Sequence, residues 1–70
     1  MEVSIISNLA HLRAKAKMTQ EELAKEIGIT RQTIISIERG NYTPSVLLAL
    51  KLAGYFKCKV EDIFNISYES

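Results

Sequence analysis

The stretch TQEELAKEIGITRQTIISIERG, Thr19 to Gly40, decides the fold. It reads as two short helices joined by a tight turn. Thr19 is placed to cap the first helix, its hydroxyl accepting from a free amide of the opening turn. Glu22, three residues on, completes a capping box. Leu23, Ala24 and Ile27 share one helical face. Gly28 falls where that helix must stop, because glycine takes a left-handed conformation at little cost. Ile29 is expected to point back into the core, Thr30 to cap the second helix and Gly40 to end it. Ala24 is small where the helices would cross, and Ile34 and Ile37 supply the buried stripe of the second. A small residue, a turn glycine and two apolar anchors at these offsets fit a helix-turn-helix.

Working outward, the chain before Thr19 predicts a helix over Ser4–Ala16, with Ile5, Leu9, Leu12 and Ala16 at helical spacing and Ile6 beside them. Lys15 and Lys17 lie where positive charge suits the end of that helix. His11, the only histidine, has no second ligand near it and reads as a solvated surface residue rather than a metal ligand. After Gly40, Thr43 is a candidate cap with Pro44 at the first helical position. A fourth helix then runs to about Phe56, with Val46, Leu47, Leu50 and Ala53, joined by Leu52 and Phe56, as a broad apolar face. Gly54 inside it costs about 1 kcal/mol against alanine, which close packing against a neighbour would explain. Val60 begins a short fifth helix. Cys58 reads as a small core residue rather than a reactive thiol. The tail from Phe64 to Tyr68 alternates apolar and polar, a strand-like period.

With 70 residues the chain is read as one small domain, residues 1–70, with a short tail over about 65–70. A chain of this length buries only about 60% of its unfolded surface, so its stability is marginal. Its 47% hydrophobic content is too high for disorder. One cysteine allows no internal disulfide. No apolar run approaches the ~20 residues of a membrane span, and no signal-peptide pattern opens the chain. A cytoplasmic, reduced setting is expected. A net charge of +1 does not advertise nucleic-acid binding. That counts modestly against a DNA-binding reading, and the local distribution partly answers it: acids collect on the first motif helix and near the end, while Arg31 and Arg39 bracket the second motif helix.

Met18-Thr-Gln-Glu-Glu-Leu-Ala, Ile27-Gly-Ile-Thr-Arg-Gln-Thr-Ile, Ile37-Glu-Arg-Gly and Thr43-Pro-Ser together resemble the lambda-repressor/Cro-like helix-turn-helix DNA-binding family. The resemblance extends from about Leu9 to Phe64. It implies an all-α, compact five-helix domain whose second and third helices form the motif. It also implies sequence-specific binding of double-stranded DNA by a small prokaryotic or phage-type transcriptional regulator, expected to be a repressor. The chain departs from the family pattern at Lys57, where glycine is common, and at Lys59, where serine or threonine usually caps.

On a helical wheel with Ile34 and Ile37 inward, Gln32, Ile35, Ser36 and Arg39 face outward, with Arg31 and Thr33 on the flanks. Guanidinium, carboxamide and hydroxyl groups suit base edges: arginine pairs with guanine and glutamine with adenine in the major groove. Resemblance places Arg31, Gln32 and Ser36 at the family's base-reading positions, with Thr33 in support. Ile35 either touches a thymine methyl or packs on the fourth helix. Gln20, Thr30, Arg39, Asn41 and Tyr42 are the expected phosphate-positioning set. By resemblance Gln20 also supports the first reader, pairing with Arg31.

No carboxylate pair, Cys/His couple, glycine-rich phosphate loop or metal-ligand cluster stands at a working spacing, so the expectation is a non-enzyme without cofactor, metal or evident small-molecule effector. The alternative is an antitoxin-type protein that binds its own operator and a partner protein. One domain reads few base pairs, and family members dimerise on near-palindromic operators. A homodimer is therefore expected, with Phe64, Ile66 and Tyr68 as dimerisation residues through edge-to-edge tail pairing. The other reading of the tail is that it folds back over its own core.

Overall fold

The computed structural model describes residues 2–69. A strand β1 (Glu2–Ser7) leads into α1 (Leu9–Lys15), α2 (Gln20–Ile27), α3 (Arg31–Glu38), α4 (Val46–Phe56) and α5 (Val60–Ile63), and a strand β2 (Phe64–Glu69) follows. The two strands pair antiparallel, Val3 opposite Tyr68, Ile5 opposite Ile66 and Ser7 opposite Phe64. The fold is therefore helical with a two-stranded sheet, and the all-helical expectation is corrected.

The first helix is half the expected length. Val3, Ile5 and Ile6 are β-branched and prefer an extended, half-buried surface. Their strand partner lies some sixty residues away, so a local spacing of Ile5, Leu9 and Leu12 cannot reveal it. The helix starts only after Ser7, whose Oγ accepts from Leu9 N–H at 3.3 Å. Asn8 N–H donates to Ile63 O at 2.7 Å, tying the strand-to-helix junction to the end of α5. The tail is a strand, as its alternation suggests, and it pairs with β1 of the same chain.

Leu9, Leu23, Ile34, Ile37, Leu52 and Ile63 are fully buried and make one core with Ala24, Ile27, Leu48 and Ala53. Leu12, Met18, Ile29, Phe56, Cys58, Val60 and Phe64 pack against it. Helix α4 contributes Leu48, Leu52 and Ala53. Val46, Leu47 and Leu50, expected in the core, are exposed instead. The cap also differs from the expectation: Ser45, not Thr43, accepts from Leu48 N–H at 3.1 Å. The helix then begins at Val46, and Leu48 and Leu52 point inward. Nothing lies within 4 Å of a Cβ built on Gly54, so close packing does not account for that glycine.

Lys57 adopts φ 54°, the left-handed conformation glycine usually supplies. Cys58 N–H bonds Ala53 O at 3.0 Å across it. Lys59 provides no side-chain cap, and Asp62 Oδ2 instead accepts from Lys59 N–H at 2.9 Å. Cys58 is half-buried, and burial, reinforced by the charge of Asp62, pushes its thiol pKa up. His11 is exposed.

Candidate nucleic-acid interface

The α2–turn–α3 unit is built as its residues predict. Thr19 Oγ1 accepts from Glu22 N–H at 3.0 Å, and Glu22 Oε1 accepts from Thr19 N–H at 2.8 Å. Hydrogen bonding of the Glu22 carboxylate to Thr19, to its backbone N–H first and to its side chain second, holds that carboxyl below its ordinary pKa. Ala24 O accepts from both Gly28 N–H, at 2.9 Å, and Ile29 N–H, at 3.0 Å. Gly28 sits at φ 86°. The turn thus closes on one small buried residue. Thr30 Oγ1 accepts from Thr33 N–H at 3.2 Å and lies 3.0 Å from Thr33 Oγ1.

Ile34 and Ile37 anchor α3, which leaves Arg31, Gln32 and Arg39 exposed and Thr33, Ile35 and Ser36 half-buried. Arg31, Gln32 and Ser36 therefore sit on one outward face. Thr33 is engaged with the cap residue. Ile35 belongs partly to the outward face and partly to the body. Gly40 follows α3 at φ 76°, and the Asn41 N–H reaches back to Ser36 O at 3.0 Å. Arg39, Asn41 and Tyr42 are exposed at and just beyond the end of α3.

Gln20 does not pair with Arg31. Its Nε2 donates to Glu38 Oε1 at 3.0 Å, at the far end of α3. The same carboxylate takes Arg13 Nε at 2.7 Å and a terminal Arg13 nitrogen at 3.2 Å. The other terminal nitrogen of Arg13 donates to Met18 O at 2.7 Å. Hydrogen bonding to Glu38 raises the Arg13 pKa further. One carboxylate thereby joins α1, the start of α2 and the end of α3, and fixes the angle at which α3 leaves the body. Sequence reasoning gave neither Arg13 nor Glu38 a role. They are 25 residues apart, and only the fold brings them together. Lys51 Nζ donates to Ile27 O at 2.8 Å, so α4 caps the carboxyl end of α2.

Among the described residues no group of acids, histidine or cysteine is arranged to hold a metal. No helix among them is long and apolar enough to cross a membrane.

Comparison with known proteins adds three findings. A family model described as helix-turn-helix matches residues 9–63. An HTH-type transcriptional regulator of Methanocaldococcus jannaschii is 53% identical over 58 residues, which cover 83% of this chain and 88% of that protein. Two solved structures share the fold. One is the SOS-response transcriptional repressor LexA from Eubacterium rectale, with TM-score 0.73 and 36% identity, covering 79% of this chain and 58% of that one. The other is the transcriptional regulator VanUg, with TM-score 0.79 and 20% identity, covering 99% of this chain and 92% of that one.

Proposed function

Because the chain belongs to the helix-turn-helix family of lambda-repressor/Cro type, we propose that it is a sequence-specific transcriptional repressor reading the major groove of double-stranded DNA with α3. The observation that carries the reading is the outward face of α3. Arg31, Gln32 and Ser36 are presented together while Ile34 and Ile37 lock the opposite face into the core. A reader must be held rigidly to discriminate bases, and the Arg13–Glu38–Gln20 network supplies that hold.

In this reading Arg31 takes the two acceptors of a guanine and Gln32 pairs with an adjacent base, each such contact discriminating by about 1–3 kcal/mol. The methyl groups of Ile35 meet a thymine methyl. Thr33 stays with its cap and shapes the flank of the face. Gln20 and Thr30 at the two helix starts and Arg39, Asn41 and Tyr42 beyond α3 hold phosphates on either side. They set register without reading sequence. Gln20 keeps one amide hydrogen on Glu38 and offers the other to a phosphate. The setting is cytoplasmic. The active form is a homodimer on a near-palindromic operator, because one α3 spans too few base pairs to single out a genomic site.

The test is selection of bound duplexes from a random pool, repeated with Arg31→Ala. The variant is expected to lose about 1–3 kcal/mol on the selected site and to relax preference at one base pair. Unchanged base preferences would remove Arg31 as a reader. Arg39→Ala is expected to weaken all sequences alike and to flatten the salt dependence.

A further inference from the structure

Helix α5 runs straight into β2, with Phe64 both ending the helix and opening the strand. Glu61 lies one helical turn before Asn65, and Asn65 Nδ2 donates to Glu61 O at 2.9 Å, which holds the two together. Across the ribbon Ile5 pairs with Ile66, and alternation along β2 puts Phe64 on the same face as Ile66. These five residues line a pocket of about 350 Å³ between the ribbon and α5. Its apolar walls are an aromatic ring and two isoleucines. Ile5 and Phe64 are half-buried, while Ile66 keeps 56% of its surface in water. The lining carries one charge, the carboxylate of Glu61. Among the described residues that carboxylate has no ion-pair partner; the ion pair there joins Arg13 to Glu38.

We propose that this pocket binds a small organic cation, a protonated amine on an aromatic or branched aliphatic body. The volume lies at the lower end of the range for small-molecule sites, about 300–1,000 Å³. Liquid water gives each molecule about 30 Å³, so the space holds roughly a dozen non-hydrogen atoms, too few for a nucleotide cofactor. Charge then selects among the ligands that fit. An ammonium set against Glu61 makes the ion pair that the chain itself leaves unmade. Asn65 Oδ1 is a second acceptor for its N–H groups, because the other end of that amide is held by Glu61 O. The face of the Phe64 ring attracts a cation as well. An anion of the same shape meets repulsion from Glu61, and a neutral ligand gains only the apolar walls.

None of the five residues belongs to α2, α3 or the loop that follows it. A bound amine therefore leaves the Arg31 face free, and the site stands whether or not that face reads DNA. A ligand that touches Ile5, Glu61 and Ile66 ties both strands to α5, so it raises the melting midpoint as its concentration passes Kd.

The experiment titrates the full ¹⁵N-labelled chain at pH 7 with 2-phenylethylamine and follows the amide shifts. Two analogues of similar shape serve as controls, neutral 2-phenylethanol and anionic 3-phenylpropionate. Concentrations reach about 10 mM, which suits a Kd of about 1 mM. The amine shifts are expected to saturate and to centre on residues 5, 61 and 64–66. The amine should bind about threefold to fivefold tighter than the alcohol, the scale of a solvent-facing ion pair, and about tenfold tighter than the carboxylate. Glu61→Gln, at an exposed position, should fold as wild type does, bind the alcohol unchanged and lose the preference for the amine. Ile66→Ala should weaken amine and alcohol alike, since it removes part of an apolar wall. Shifts that do not saturate or that centre elsewhere, equal binding of amine and alcohol, or a Glu61→Gln variant that keeps the preference would overturn the site. Movement of the same signals on dilution without amine would place a second copy of the chain in the pocket and overturn it too.

Discussion

Glu38→Ala should be among the most damaging single changes outside the apolar core. The Glu38 side chain is 8% exposed and that of Arg13 19%. The carboxylate accepts three N–H groups, at 2.7, 3.2 and 3.0 Å. Removing one partner of a buried pair costs about 3–5 kcal/mol, because the other charge is left without compensation. Arg13 keeps its bond to Met18 O and a fifth of its side chain in water. A figure of about 2–4 kcal/mol is therefore the better expectation, since bonds to charged groups are worth roughly 1.5–3 kcal/mol each and share their loss. In a chain of this size 1 kcal/mol moves the midpoint by roughly 4–8 °C, so the variant should melt about 8–32 °C lower. Thermal denaturation followed by circular dichroism at pH 7 measures this. The double variant Arg13→Met/Glu38→Leu should regain most of the loss, since it leaves no unpaired charge. A Glu38→Ala midpoint within about 4 °C of wild type would refute the assignment of the network as the brace of α3.

Ile37→Ala should cost about 2–5 kcal/mol, because Ile37 is 1% exposed and the cavity opens inside the motif; chemical denaturation checks it. Lys57→Gly should raise stability by about 0.5–1 kcal/mol in the same assay, since Lys57 occupies a left-handed conformation that glycine takes without strain. Glu22 has a lowered folded pKa. Its contribution is present above the unfolded carboxylate pKa and is lost as pH falls through the lower folded value. Stability of Glu22→Gln should therefore decline less than wild type between pH 5 and about pH 3, measured by melting across that range. Cys58 should react slowly with iodoacetamide at pH 8, as burial disfavours its thiolate; labelling as fast as a free thiol would contradict that.

The motif was legible because its signals are local. Thr19, Glu22, Gly28 and Thr30 act within four residues of themselves, and each does in the structure what its spacing implies. The outward face of α3 followed from two isoleucines. What was missed depends on distant partners. Ile5 and Ile6 look helical until β2 is brought opposite them. On α4 an almost unbroken apolar run cannot say which side faces the core, and the start moves to Val46 because Ser45 rather than Thr43 supplies the cap. Gln20 was matched to Arg31 by resemblance, whereas the fold gives it Glu38.

The β1–β2 ribbon sets Val3 beside Tyr68, so the described chain closes on itself. Loop closure over some sixty residues costs entropy that only non-local contacts return, and such contacts form late. The helices need no such closure to pair. The ribbon should be the final element to assemble and the first to open, with its amides exchanging before those of α2 and α3. Because Val3 and Tyr68 lie opposite each other, a covalent link between the two strands there would remove much of that closure cost.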